Sequence, residues 1–161
     1  MKLQKLFDMQ RELDRYIEEN NGIKGDVFEE KVLALTVELA ELANETRCFK
    51  FWSRKGPSEE DVLLEEYVDS IHFLLSLGIL RGLDGLGEWP EGELDGELTS
   101  LFIRTQRKIL EFAEAPDLDS YREIWICYRA IAAKLGFSTD AIMAAYESKN
   151  EENHNRQQHG Y

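Results

Sequence analysis

The segment ALTVELAELA, residues 34–43, constrains the fold more than any other part of the chain. Every residue in it except Thr36, Glu38 and Glu41 is apolar. A helix that is apolar on nearly all of its sides is normally buried on nearly all of its sides. Glu38 and Glu41 lie three positions apart, so a helix projects both carboxylates from one face, about one turn apart. The segment therefore predicts an interior helix that carries two acids into the protein.

A second apolar segment, VLLEEYVDSIHFLLSLG at residues 62–78, repeats this pattern with Glu66 and Asp69. Neither segment contains a Lys or Arg that could pair with its acids, and a buried carboxylate without a partner is costly. Facing helices that each supply acids at positions i and i+3 can build a metal site inside a bundle. Oxygen ligands favour Mg²⁺ or Mn²⁺ over Zn²⁺ or copper. We therefore predict one metal site made by Glu38, Glu41, Glu66 and Asp69; the alternative is that these acids are solvated surface.

The rest of the chain also has helical periodicity, and no convincing strand pattern interrupts it. All three prolines (57, 90 and 116) fall between the periodic segments, where helices are expected to end or begin. We predict an all-α fold, a bundle of about six helices with a four-helix metal-binding core, in a single domain over residues 1–161. The predicted helices span about 2–19, 27–45, 59–81, 97–114, 119–135 and 140–152, and residues 151–161 form a polar tail that substrate could order.

The charge balance excludes several classes of partner. Lys and Arg total 19 against 32 Asp and Glu, which gives a net charge of −13. A chain this acidic is a poor general binder of nucleic acid or anionic membranes, and it favours divalent cations. No stretch is long and apolar enough to span a membrane. Two cysteines without a metal or disulfide spacing predict free thiols and a cytoplasmic protein.

The segment RCFKFWSRK, residues 47–55, follows the first acidic helix and carries four cations and no acid. Phe49, Phe51 and Trp52 lie between these cations. Cations suit a polyphosphate, and a flat aromatic side chain can stack on a nucleobase. The segment therefore predicts a nucleotide contact, with core packing of the aromatic residues as the alternative.

Two further groups of residues have the spacing of a substrate site. His72 follows Asp69 by three positions and shares its helix face, where it could contact substrate or orient the carboxylate, with a purely structural histidine as the alternative. Near the C-terminus, polar side chains recur at three- and four-residue steps and could close over phosphates, namely Tyr146, Lys149, Asn150, Asn153 and Arg156. A frayed polar tail is the alternative at this end of the chain.

These residues resemble a known family, the dimeric dUTPases of the all-α NTP pyrophosphatase superfamily, which is related to MazG-type enzymes. The resemblance rests on Glu38-x-x-Glu41, on Glu66-x-x-Asp69 followed by His72, and on NETRCFKFWS between the two acid pairs. It also rests on the terminal pattern AYxxKNxxNxxRQ, here Tyr146 to Gln157. Residues 82–137 contain predicted helices but no motif of the family.

The resemblance implies a Mg²⁺-dependent hydrolysis of dUTP, and of dUDP, to dUMP, in which a metal-bound water attacks the α-phosphorus. It implies two or more Mg²⁺ ions between the four acids, with Mn²⁺ as a substitute, and a homodimer. By position, Glu38 is the candidate for orienting the attacking water. The implied phosphate ligands are Lys50, Lys149, Asn150, Asn153 and Arg156, and the implied deoxyuridine pocket contains Gln10, Phe49, Trp52 and His72.

Two alternatives remain open from the sequence. The nearest is a MazG-like or dCTP-preferring pyrophosphohydrolase, because the acid pairs mark only the superfamily. The other is a helical interaction module without catalytic activity, in which the acids are solvated.

Overall fold

The computed structural model describes residues 1–160, and within this range the protein is an all-α bundle of six helices. The helices are α1 (Gln4–Asn21), α2 (Phe28–Thr46), α3 (Glu60–Leu80), α4 (Leu98–Glu114), α5 (Leu118–Leu135) and α6 (Thr139–Gln158). One isolated antiparallel bridge, between Lys2 and Glu88, is the only extended pairing in the described residues. The fold class predicted from the sequence is confirmed.

Helix α3 lies at the centre of the bundle and contacts α1, α2 and α6. It is the helix with the most continuous apolar sequence, and most of its residues between Leu63 and Gly78 are buried. Helices α4 and α5 pack together, and α4 also contacts α2. Side chains of α5 reach α3 as well, since the Tyr121 hydroxyl donates to the Leu74 carbonyl oxygen at 2.7 Å. The four helices α1, α2, α3 and α6 therefore surround the acids that the sequence places on α2 and α3.

Several helix ends follow from local sequence signals. Helix α1 ends at Gly22 and α5 ends at Gly136. Both glycines have the left-handed backbone conformation, which glycine adopts more easily than any other residue. Ser138 accepts a hydrogen bond from the Ala141 amide and caps the start of α6. Asp26 accepts from the Phe28 amide at 3.1 Å, but the residue that precedes α2 is Val27, whose side chain cannot cap.

The sixth helix is longer than the sequence predicted. It ends at Gln158 rather than near residue 152, so most of the predicted polar tail is helical. This end is docked on α1: the Asn21 amide nitrogen donates to Gln157 Oε1 at 2.9 Å, and the rings of Tyr16 and His154 are in contact. Polar contacts between helices hold this segment, and hydrophobic periodicity cannot reveal such contacts. Tyr161, the last residue of the predicted tail, lies outside the described residues.

The long connection between α3 and α4 is packed against the bundle. Leu86 and Trp89 are buried, and the Trp89 indole nitrogen donates to the Trp125 carbonyl oxygen at 2.8 Å. The N-terminal residues complete this arrangement, since the Leu3 amide donates to the Gly87 carbonyl oxygen at 2.8 Å. No helix among residues 1–160 combines the length and apolar composition that crossing a membrane requires.

Candidate active site

Three acids from α2 and α3 converge in the structure. Glu38, Glu66 and Asp69 each offer a carboxylate oxygen, and these oxygens lie within 4.8 Å of one another. The three side chains are half-buried, and Oε2 of both glutamates is buried without a hydrogen-bond partner in the described residues. Acids this close together, with two buried oxygens that have no partner, are the arrangement expected of a site for a hard cation.

Glu41, the fourth predicted ligand, stands at the edge of this group. Its side chain is more exposed than the other three, and it is not one of the three acids that could share an ion. Its negative charge and its hydrogen-bonding contact nevertheless raise the pKa of both Glu38 and Glu66. The structure therefore brings Glu41 beside the cluster, and its role as a metal ligand stays a prediction.

The electrostatics of the cluster favour binding of a cation. Burial, followed by the charges of Glu41 and Asp69, raises the pKa of Glu38 to about 7. Burial and the charges of Asp69 and Glu41 raise the pKa of Glu66 to about 7 as well. Burial also raises the pKa of Asp69, although the nearby Lys149 ammonium opposes this change. A divalent ion would remove the mutual repulsion that keeps protons on these groups.

Lys149 of α6 supplies a positive charge that the two apolar acidic segments, residues 34–43 and 62–78, do not contain. Its ammonium nitrogen lies 2.8 Å from Glu65 Oε1, 3.3 Å from Asp69 Oδ1 and 3.3 Å from Glu152 Oε2. The Lys149 side chain is 8% exposed, so the charge is held in place by its partners. Although burial opposes it, these hydrogen bonds and charges raise the pKa of Lys149, and the side chain is an ammonium at neutral pH.

Glu38, Asp69 and Lys149 border a cavity of about 410 Å³ between α1, α2, α3 and α6, and Glu66 lies beside Glu38 and Asp69 without lining it. Its lining includes Glu38, Asp69, His72 and, from α6, Lys149, Asn153 and Arg156. Gln10 of α1 also lines it. Tyr146 and Asn150 are buried beside it: the Tyr146 hydroxyl donates to Gln10 Oε1 at 2.8 Å, and the Asn150 amide nitrogen lies 3.5 Å from the Met9 carbonyl oxygen. The structure thus gathers at one place most of the residues that the sequence predicted for substrate binding.

The predicted aromatic contacts are placed elsewhere. Phe49, Lys50 and Trp52 do not line the cavity, and Trp52 is 65% exposed. Phe51 is 92% exposed and contacts the Trp52 ring edge-on. The segment begins at Arg47, a residue in the left-handed conformation that caps α2, and its guanidinium donates to Ser53 Oγ at 2.8 Å. In the described structure this segment is a surface turn rather than a wall of the cavity.

Sequence reasoning missed five polar residues of the cavity wall, namely Asp14, Glu18, Lys31, Glu65 and Ser76. Ser76 Oγ donates to Asp14 Oδ2 at 2.6 Å, and Lys31 Nζ donates to Ser76 Oγ at 2.6 Å. The spacing of Asp14 and Ser76 could have predicted their positions, because Asp14 follows Gln10 by four residues and Ser76 follows His72 by four. Each pair therefore shares one face of its helix.

Acids from two facing helices, beside a cavity with amide and cationic side chains, define a helical bundle with a candidate divalent-metal and anion site. A family model described as dUTPase matches residues 2–161, and the chain belongs to this family. The match includes residues 82–137, where the sequence offered no motif. No curated protein matches the chain. Family membership makes the protein a nucleotide-hydrolysing enzyme of the dUTPase type.

Proposed function

We propose that the protein hydrolyses dUTP to dUMP and pyrophosphate with Mg²⁺, and that dUDP is also a substrate. The observation that carries this proposal is the convergence of Glu38, Glu66 and Asp69 beside the cavity, in a chain that the dUTPase family model matches throughout. The buried, unpartnered oxygens of Glu38 and Glu66 fit a hard divalent cation, for which Mn²⁺ would be a substitute.

The three converging acids, together with Glu41, would hold two or more ions. Bound Mg²⁺ would neutralise charge on the phosphates and lower the pKa of water. Glu38 lines the cavity, and its buried Oε2 could accept a proton from water and orient that water toward the α-phosphorus. Glu38 is therefore the proposed catalytic residue.

The face of α6 that borders the cavity would bind the phosphates. Lys149, Asn153 and Arg156 are one turn apart or nearly so, and all three line the cavity. Asn150 and Lys50 are further candidates for this role. Gln10 of α1, His72 of α3 and Tyr146 of α6 form a buried wall that suits the nucleoside, and Trp52 and Phe49 could cover the base from the surface turn.

A substrate panel tests the proposal. Purified protein should hydrolyse dUTP and dUDP in Mg²⁺, release dUMP from both, and lose this activity with a chelator. Turnover of dCTP, dTTP and ATP should be lower than that of dUTP. Equal rates for all nucleotides would contradict selectivity for the uracil base and favour a MazG-like enzyme. No hydrolysis in Mg²⁺ or Mn²⁺ would favour a non-catalytic helical module.

Two variants and a matched control link the activity to the cluster. Glu66→Gln and Asp69→Asn should each reduce turnover by at least two orders of magnitude, since each removes an anionic ligand. Glu30→Gln changes an exposed acid on the same helix as Glu38 and should leave turnover unchanged. Circular dichroism should show that all three variants keep the helical fold.

We further propose that the protein is a homodimer of the cytoplasm. Both cysteines are free thiols, as expected in a reducing compartment. Apolar side chains are exposed on two neighbouring helices, Leu33 and Val37 on α2 and Ile103 and Leu110 on α4. A second copy that covers this apolar surface would remove it from water. This surface on α2 lies next to Glu41, so the partner subunit would approach the edge of the acid cluster.

A further inference from the structure

A row of hydrogen bonds runs along the cavity wall and ends on His72. It begins with Lys31 and Ser76, whose contacts orient the carboxylate of Asp14. Asp14 Oδ1 then accepts a hydrogen bond from Gln10 Nε2 at 2.9 Å. Gln10 Oε1 in turn lies 2.7 Å from His72 Nδ1. Each step joins side chains from α1, α2 or α3 that face the cavity.

The Asp14 carboxylate fixes which way the Gln10 amide points. A carboxylate only accepts hydrogen bonds, so the amide nitrogen of Gln10 must face it. The amide oxygen must then face the other way, where it accepts a hydrogen bond from the Tyr146 hydroxyl at 2.8 Å. The opposite amide orientation would place two oxygens against each other at Asp14. Asp14 thus determines the orientation of the Gln10 amide, although it lies on the far side of Gln10 from His72.

The Gln10 oxygen in turn fixes the tautomer of His72. An amide oxygen 2.7 Å from Nδ1 requires a hydrogen atom on Nδ1. Burial lowers the pKa of His72 to about 3, and the nearby Lys149 charge acts in the same direction, so the ring is neutral near pH 7. A neutral imidazole with its hydrogen on Nδ1 has a lone pair on Nε2. Nε2 is buried and has no hydrogen-bond partner in residues 1–160.

We propose that Asp14, acting through Gln10, holds His72 in the tautomer that presents Nε2 as an acceptor, and that the nucleotide in the cavity donates a hydrogen bond to it. Asp14 is then a positioning residue and His72 a specificity-determining one. The ring of His72 is stacked on Tyr146, with centroids 4.3 Å apart, so Nε2 has little freedom to turn away. This wall therefore selects ligands that carry a donor at this point.

This inference rests on the proposed function for the identity of the donor. With its triphosphate ionised, dUTP has two hydrogen-bond donors, the imide N3–H of the base and the 3′-hydroxyl of the sugar. Either can meet a lone pair on Nε2. Cytosine presents a lone pair at N3 in place of the hydrogen, so a contact at N3 would also discriminate against dCTP.

The tautomer is tested first, in the protein without nucleotide. The protein contains three histidines, so ¹⁵N-labelled His72 can be assigned by substituting His154 and His159 in turn. At neutral pH, two-dimensional ¹H–¹⁵N spectra should show a protonated Nδ1 and an unprotonated Nε2. Asp14→Leu should shift the population toward the Nε2–H form, whereas Asp14→Asn keeps a carbonyl acceptor for Gln10 and should preserve the wild-type tautomer. Asp8→Leu, on the exposed side of the same helix, should have no effect.

The donor is tested with two analogues of dUTP. N3-methyl-dUTP lacks the imide hydrogen and 2′,3′-dideoxyuridine triphosphate lacks the hydroxyl. We expect one of the two to show kcat/KM on the order of 10-fold lower than dUTP in the wild-type protein. The same penalty should disappear in His72→Phe, which keeps an aromatic ring against Tyr146 but has no acceptor, and should be reduced in Asp14→Leu.

The outcomes separate this inference from the proposed function. An Nε2–H tautomer in the wild-type protein would overturn the inference, whatever the substrate is. A wild-type protein that hydrolyses dUTP and both analogues equally, or a penalty that persists in His72→Phe, would also overturn it. Failure to hydrolyse dUTP at all would contradict the proposed function, and the tautomer measurement would still decide whether Asp14 positions His72.

Discussion

The ammonium of Lys149 lies 3.3 Å from the carboxylate of Asp69, and this ion pair joins α6 to the acid cluster between α2 and α3. Lys149 places a positive charge beside a carboxylate whose pKa burial raises. Asp69 is also one of the three acids whose oxygens could share an ion. One carboxylate therefore faces both the internal cation and the proposed metal, and the two cations should compete electrostatically for it.

Substituting Lys149 should separate metal binding from turnover. Lys149→Met removes the competing charge, so the protein should bind Mg²⁺ more tightly by isothermal titration calorimetry, by roughly 3- to 10-fold. Turnover of dUTP should fall by at least 10-fold, because a proposed phosphate contact is lost.

The same variant should be less stable without metal. Urea unfolding should show that the free energy of unfolding of Lys149→Met is lower by about 1–3 kcal/mol, since Asp69 remains buried but loses its partner. Lys134→Met, at an exposed position on α5, serves as the control. Weaker Mg²⁺ binding in Lys149→Met would contradict this account of the site.

The raised pKa values of Glu38 and Glu66 predict how stability depends on pH without metal. Both values are about 7 in the folded protein against an ordinary value of 4.5. Between these values the folded state binds more protons than the unfolded state, so the free energy of unfolding decreases as pH rises from about 4.5 to about 7. The decrease is complete above that range, where both states are ionised.

Glu38→Gln or Glu66→Gln should flatten this dependence. At pH 8 without metal, each variant should be more stable than the wild type by on the order of 1 kcal/mol, because solvent partly screens these half-buried groups. Urea unfolding at pH 5 and pH 8 measures the effect, and Glu30→Gln should follow the wild-type curve. Added Mg²⁺ should reverse the order, since it stabilises only the protein with a complete site. A wild type whose stability rises from pH 5 to pH 8 without metal would be inconsistent with the cluster.

Much of the fold could be predicted from the sequence because local signals agreed with one another. The helix ends at Gly22 and Gly136 and the cap at Ser138 depend on residues within one turn of the boundary. The same is true of the acid pairs, since the side chains at i and i+3 face the same way on any helix. Convergence of Glu38 with Glu66 and Asp69 followed once α2 and α3 packed together.

The parts that could not be predicted depend on contacts between distant residues. The sequence correctly indicated that neither acidic segment contains a basic partner, but the partner, Lys149, comes from another helix. Likewise, the last turns of α6 have no apolar stripe, and their helical structure depends on contacts with α1 such as that between Asn21 and Gln157. The direction in which Trp52 points depends on the turn after Arg47, which no spacing rule determines.

Gly78 provides a test of the packing at the centre of the bundle. A Cβ atom at this position would overlap the hydroxyl of the fully buried Tyr121, which donates a hydrogen bond to the Leu74 carbonyl oxygen. Alanine has the higher helix propensity, by about 1 kcal/mol. The overlap should nevertheless dominate, so that Gly78→Ala lowers the free energy of unfolding by about 1–3 kcal/mol. Gly56→Ala, where a Cβ meets nothing within 4 Å, should change stability little. Urea unfolding of both variants tests the comparison, and equal stability of the two would mean that Tyr121 moves away freely.

The exposed apolar residues of α2 predict where the proposed dimer forms. Leu33 is 66% exposed, and Val37 follows it by one turn on the same face. Burying such side chains against a second copy would be favourable, and a charge at either position would oppose it. Leu33→Glu and Val37→Glu should therefore shift the protein from dimer to monomer in sedimentation-velocity experiments at micromolar concentration. Leu118→Glu, at an exposed apolar position on α5, is the matched control and should remain dimeric.

The same interface should also affect metal binding. Because Glu41 lies one turn beyond Val37, a dimer formed through this face should protect Glu41 from solvent, and the monomeric variants should bind Mg²⁺ with altered affinity. A wild-type monomer, or variants that stay dimeric, would show that these side chains do not form the interface.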